Sequence, residues 1–268
     1  MNRQQLLSHA IDVHCHIQEC LNIPQTLEKL RHICVKELWV MGTSTTDWDT
    51  VASLADTSID TKLVPCFGIH PWFVHKQPHD AMDLLKQRLE KTPLLGEFGL
   101  DRVAKDEQGV KYPLDSQLVL FEQQFEVALE RGLPMSIHVV KAFGHIQSYL
   151  HKQAKTIKKN EYIPPFMLHS FSGSLAVLEQ ILAIPSFGPR AYFSISHLVN
   201  GRMSSEKSQE VIKRIPDDRI VIESDMHDPN LVDDAMWTAA SLVAAGKEWS
   251  LEEVIKRTTE NARRFLSR

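Results

Sequence analysis

Apolar residues along this chain fall into short runs separated by longer amphipathic stretches. Runs rich in β-branched and large aliphatic residues occupy 10–14, 37–42, 62–68, 93–98, 134–139, 165–169, 190–195 and 219–222. Each has a length suited to a strand buried on both faces. Between most of them the apolar residues recur every three or four positions, as in a helix that lays one face on a sheet. In 114–131, Leu118, Phe121, Phe125, Ala128 and Leu129 form one stripe, and Gly132 supplies the stop. Helical patterns also fill 24–35, opening on Pro24, and 79–91, 174–182, 204–214, 231–245 and 251–266. The stretch 142–159 is polar enough for its helix to be interrupted.

Strands alternating with helices imply a parallel sheet. Eight such repeats favour a closed (β/α)8 TIM barrel over an open doubly wound sheet. Gly42-Thr43-Ser44, after the second run, lacks the spacing of a dinucleotide-binding turn. No Pro-, Gly- or Ser-rich linker divides the chain, so 1–268 reads as one domain.

Composition narrows the function classes. With 268 residues, 43% hydrophobic, the chain is long enough for one large core. A net charge of -4 gives no global basic field, so contact with nucleic acid must come from a local patch or from metal ions. The basic stretch 152–159 reads as a solvated helix face. Cys15, Cys20, Cys34 and Cys66 stand singly, without the spacing of a zinc knuckle or a disulfide framework. That pattern fits a reduced, intracellular protein, cytoplasmic or nuclear. Residues 1–9 lack the apolar segment of a signal peptide, and no run approaches the length of a membrane span.

The chemistry concentrates at the ends of the apolar runs. Asp12-Val13-His14-Cys15-His16 places two imidazoles two residues apart. Alternate strand residues point the same way, so both can aim at one cation. His70 follows the third run, Glu97 ends the fourth, His138 the fifth and His169 the sixth, and Asp225 follows the eighth. In a barrel of this kind the carboxyl ends of the strands form the active mouth. Seven His, Glu and Asp residues at one mouth are hard to explain as strand-end residues without a shared task. Asp101 and Glu223 read as groups that orient the others. Cys15 reads as a small buried hydrophobe, and the remaining histidines as surface or loop residues, with His197 and His227 the best placed of them to line the mouth.

Several segments together resemble the TatD family of metal-dependent hydrolases, many of them deoxyribonucleases, within the amidohydrolase-like barrel superfamily. They are Asp12-Val13-His14-Cys15-His16, Gly68-Ile69-His70-Pro71, Gly96-Glu97-Phe98-Gly99-Leu100-Asp101, Ile137-His138, Leu168-His169-Ser170-Phe171-Ser172-Gly173-Ser174, Glu223-Ser224-Asp225 and Thr259-Glu260-Asn261-Ala262-Arg263-Arg264-Phe265. The resemblance implies two divalent ions; by ligand type, four imidazoles with two carboxylates favour zinc, with magnesium or manganese as alternatives. His14, His16, Glu97 and Asp225 would hold one, and Glu97, His138 and His169 the other, Glu97 bridging. Asp225 would also take a proton from the attacking water, and His70 would contact the scissile phosphate of DNA.

Some positions depart from the family pattern. The arginine usual two places after the fifth-strand histidine is replaced by Val140, with Lys141 one place further on. Arginine and lysine are not interchangeable at a bidentate site. A histidine usual after Gly-Ile-His-Pro is here Trp72, an aromatic able to stack a base. Met226-His227-Asp228-Pro229 replaces a shorter Ser-Pro turn. The six candidate ligands survive these changes. Substrate therefore stays more open than metal, and two other readings remain: hydrolysis of a small phosphoester, C–N bond or lactone, and a module that binds another protein.

Overall fold

Eight parallel strands form at the apolar runs: β1 (Ile11–Cys15), β2 (Glu37–Gly42), β3 (Lys62–Phe67), β4 (Leu95–Asp101), β5 (Met135–Val140), β6 (Phe166–Leu168), β7 (Ala191–Ser196) and β8 (Ile220–Glu223). They pair in sequence order in one sheet. The computed structural model describes residues 1–20, 22–106, 108–158, 161–202 and 205–267. Lys159 and Ser204, each at one end of a sequence-predicted helix, lie outside the described residues. Among the described residues no helix is long and apolar enough to cross a membrane.

The barrel closes between β1 and β8 without a regular ladder. The Asp225 N–H donates to His14 O at 3.0 Å and the His16 N–H to Met226 O at 2.8 Å. Below them the Asp12 carboxylate accepts from the Ser224 N–H at 2.9 Å and the Ser224 hydroxyl at 2.5 Å. The seam is thus made by the residues that flank the candidate site.

Two strands are bulged just before their candidate ligands. The register of β1 on β2 shifts between Asp12 and Cys15, and that of β4 on β5 between Leu95 and Glu97. An extra residue breaks the alternation of side chains and re-aims those that follow. Ile11 and Val13 pack in the inner cluster with Trp39, Met41 and Met167, yet the adjacent His14 also turns inward to meet Glu97. The helix Leu251–Leu266 covers the opposite end of the barrel, where Phe265 packs on Trp39 and Tyr192 with ring centroids 5.9 and 5.1 Å away.

Helix positions differ from the sequence pattern in several places, short helices at Arg3–Leu7 and His197–Asn200 among them. A helix Trp48–Ala55 lies between β2 and β3, where no periodicity had marked one. Asp47 fixes the loop before it by accepting from the backbone N–H groups of Thr43 and Ser44, without capping the helix itself, and Trp48 anchors the helix through Nε1–H to Gly68 O at 3.1 Å. The polar stretch after β5 forms one unbroken helix, Phe143–Ala154, held by buried Ile146, Tyr149 and Leu150.

Candidate metal centre

The structure brings His14, His16, His70, Glu97, His138, His169 and Asp225 to one end of the barrel, with Trp72 at the rim. His14, Glu97 and His138 lie inside β1, β4 and β5. His16, His70, His169 and Asp225 lie just past their strand ends, where the backbone is irregular. Asp225 has φ 56, and Ser170, next to His169, has φ 43. Such left-handed positions cost energy in non-glycine residues and persist where the surroundings over-determine them. Gly99 (φ 155) lets β4 pass β5 closely, since a Cβ there would stand 1.9 Å from His138 O.

Glu97 is the hub. Its Oε2 lies 3.3 Å from His16 Nε2 and 3.6 Å from His14 Nε2. Its Oε1 lies 2.9 Å from both His138 Nδ1 and His169 Nε2, and 3.4 Å from His70 Nε2. His14 Nε2 and His16 Nε2 are 3.2 Å apart, and His138 Nδ1 and His169 Nε2 are 3.0 Å apart. Asp225 Oδ1 lies 3.7 Å from His16 Nε2. The His14 and His169 rings stack at 4.0 Å and join the two groups.

The far nitrogens decide which ring atoms face inward with a lone pair. His16 Nδ1 is 3.1 Å from Met41 O, an atom that only accepts, so Nδ1 carries the hydrogen and Nε2 is bare. His169 Nδ1 faces Glu223 Oε1 at 3.3 Å, with the same result. His138 Nε2 faces Asp101 Oδ2 at 3.4 Å, which leaves Nδ1 bare. His14 Nδ1 lies 3.1 Å from the Ser136 hydroxyl. His70 is the reverse case. Its Nδ1 accepts from the Trp72 N–H at 3.2 Å, so the neutral ring carries its hydrogen on Nε2. His70 falls within ligand distance of Glu97 and His138, but its inward atom is a donor, suited to an oxygen of a bound anion rather than to a cation.

Electrostatics follow from this crowding. Burial opposes charge on Glu97, but the surrounding imidazoles of His70, His169 and His14 hold its carboxyl well below the usual range. Burial disfavours the charged form of His16 too, but Glu97 and Asp225 outweigh it and raise its pKa to about 9. His169 is likewise raised, against burial, by Glu97 and Glu223. Burial lowers His70 to about 4, only partly offset by Glu97. The anionic groups that raise His16 and His169 would attract a cation equally, so proton and cation compete for these nitrogens.

A family model described as TatD related DNase matches residues 11–267. This chain belongs to that TatD family. Among its relatives is the Cut9-interacting protein scn1 of Schizosaccharomyces pombe, 26% identical over 96% of this chain and 98% of that one. Another is the uncharacterized metal-dependent hydrolase YabD of Bacillus subtilis, 28% identical over 95% of this chain and 98% of its own length. The crystal structure of YJJV, a TatD homolog from Escherichia coli, shares the fold with a TM-score of 0.73 and 20% identity, covering 95% of this chain and 96% of that one.

Over the TatD cluster lies a cavity of about 270 Å³. Besides the residues singled out in the sequence it is lined by Glu19, Thr43, Phe73 and Leu198. His227 also lines it, stacked on His16 at 5.2 Å and 3.0 Å from Glu19 Oε2. His197 does not: it is exposed, and its neighbour Leu198 faces the cavity instead. Cys15 is fully buried. Trp72 is 46% exposed, and its Nε1–H donates to Asp101 Oδ2 at 2.8 Å, which fixes the indole at the rim. Ser136 and Ser170 escaped sequence reasoning as partners of the cluster. Strand parity marks Ser136, two residues before His138 on β5; nothing in the sequence marks the tie from the Ser170 hydroxyl to Glu223 Oε1 at 2.7 Å.

Proposed function

We propose that this protein is a two-metal nuclease that hydrolyses phosphodiester bonds of DNA. The observation that carries the reading is the division of Glu97: each carboxylate oxygen faces its own pair of inward imidazole nitrogens, about 3 Å apart within each pair. Bare lone pairs at that spacing repel unless a proton or a cation lies between them. The donor set therefore fits two divalent cations, one among His14, His16, Glu97 and Asp225, the other among Glu97, His138 and His169. Imidazole-rich sites suit zinc, with manganese or magnesium as working alternatives. Such ions would lower the pKa of a water and neutralise charge on the phosphate oxygens.

The chain's own residues supply the rest. Asp225 is placed to take the proton of the attacking water while its strained backbone holds it at the seam. His70 presents its Nε2–H to a non-bridging phosphate oxygen. Trp72 offers a fixed, half-exposed face for an unstacked base. Asp101 and Glu223 keep His138 and His169 in the tautomers that leave their inward nitrogens bare. Four unpaired thiols fit a reducing compartment, cytoplasmic or nuclear.

Metal content of the purified protein, with hydrolysis of single-stranded DNA by wild type and Glu97→Ala, tests this. About two ions per chain, and cleavage lost in the variant, support it. Two ions without DNA cleavage in any metal redirect the site to a smaller ester. The relative named for its interaction with Cut9 supports a second reading, protein association. Absence of both bound metal and cleavage would leave that one standing.

A further inference from the structure

Next to the Glu97 cluster, the ends of β4 and β5 carry cations that no described residue neutralises. Arg102 follows the last residue of β4, and its backbone N–H donates to Val140 O at 3.1 Å, so it stands beside the end of β5. Lys141 follows Val140 with φ 51, which turns the chain out of the strand. Both side chains are exposed, and among the described residues no hydrogen bond or ion pair holds either. Elsewhere Arg3, Lys29, Arg88, Arg214 and Lys247 each pair with a carboxylate. Other cations, Lys152 and Lys155 among them, are also unpaired among the described residues; what sets Arg102 and Lys141 apart is their place at adjacent strand ends beside the Glu97 cluster. With His145 they line a cavity of about 280 Å³, distinct from the one over Glu97. Ala142 offers no side chain to cap the helix that begins there, and a Cβ at Gly144 would meet nothing within 4 Å, so the notch is open to a ligand.

We propose that this notch binds a second backbone phosphate of a single-stranded nucleic acid whose scissile phosphate lies at the Glu97 cluster. The inference rests on the nuclease reading and adds a path for the strand. Asp101, between notch and cluster, is already engaged. It accepts from the Trp72 indole, lies against His138 and accepts from the Val103 and Ala104 N–H groups. Asp101 therefore ties Trp72 to the strand end that carries Arg102. A base stacked on Trp72 and a phosphate held by Arg102, Lys141 and His145 would flank the reacting bond. Two exposed cations on separate strands would hold the phosphate without one fixed bidentate fork, so recognition depends on charge more than on shape.

The test compares wild type with an Arg102→Gln/Lys141→Gln variant, and with Lys152→Gln/Lys155→Gln as a control for charge alone. Binding of a fluorescent single-stranded 12-mer is followed against salt, and turnover of that oligonucleotide is set beside turnover of bis(p-nitrophenyl) phosphate, which is too small to span both cavities. The notch variant is expected to bind the 12-mer roughly tenfold more weakly. Its slope of log affinity on log salt should be smaller by about 0.7 per cation removed. Its loss on the oligonucleotide should exceed its loss on the small diester at least tenfold. An unchanged affinity and slope, or an equal loss in the control, would overturn the notch while leaving the nuclease intact. Wild type that turns over the small diester but neither binds nor cuts the 12-mer would overturn the nuclease reading, and the notch with it.

Discussion

Replacing Glu223 by glutamine asks whether a residue that touches no substrate sets the metal affinity of the site. Glu223 is fully buried at the end of β8. Its Oε1 accepts from the Ser170 N–H and hydroxyl, both at 2.7 Å, and lies 3.3 Å from His169 Nδ1. Burial pushes its carboxyl up, but the His169 imidazole holds it below the usual range. Hydrogen bonds to a charged acceptor contribute about 1 kcal/mol more than neutral ones. Three of them lose that share in the glutamine variant. The new amide nitrogen falls where Oε2 now lies buried without a partner. Relief of a buried charge offsets part of this, which leaves a net loss of roughly 2 kcal/mol, or about 4–8 °C in melting temperature for a chain of this size. The His169 N–H loses its anionic acceptor, and such outer contacts typically change metal affinity by about 10–100-fold. Denaturant titration gives the first quantity, and competition with a chromophoric chelator gives the second. Metal affinity within about threefold of wild type, with the stability loss present, would show that Glu223 serves packing alone and would refute the tautomer argument.

Other substitutions probe separate parts of the same structure. Burial raises the Asp12 carboxyl from 3.8 to about 7 despite its bonds to Ser224. The native state then holds a proton that the unfolded chain has lost, so stability falls as pH rises from about 4 to 7, by a few kcal/mol at most. Asp12→Asn should flatten that slope in urea titrations of metal-free protein, and an unchanged slope would clear Asp12 of the effect. Gly99→Ala should lower the melting temperature strongly or abolish soluble expression, because its methyl group meets the His138 carbonyl; a wild-type melt would show that β4 and β5 can separate at no cost. Trp72→Ala should raise KM for single-stranded DNA about 5–100-fold, the usual range for one stacked base. An unchanged KM would leave Trp72 a packing residue.

The barrel was legible because eight apolar runs are long enough for strands and too short for helices. The mouth was legible because its residues sit where those runs end. Other features leave no mark on composition. The bulges in β1 and β4 insert one residue without changing its type, so the sequence does not show that Val13 and His14 both turn inward. The helix Trp48–Ala55 has a stripe of only Trp48, Val51 and Leu54, too short to stand out from the polar loop before it. Imidazole tautomers depend on acceptors far along the chain, Met41 being 25 residues from His16 and Glu223 54 from His169. Only folding brings those partners together.

The seam between β1 and β8 also fixes when in the life of the chain the site comes into being. Asp12 and Ser224 are 212 residues apart, yet they clasp directly beneath His14 and Asp225. A ribosome releases the first strand long before the last is made. Until β8 emerges, His14 and His16 have neither Asp225 beside them nor the Asp225 and Met226 backbone bonds that hold their strand in place. A nascent or prematurely ended chain therefore carries most of the imidazoles but not the seam that closes their site, and a barrel closed this way gains its pocket only at the last step of becoming whole.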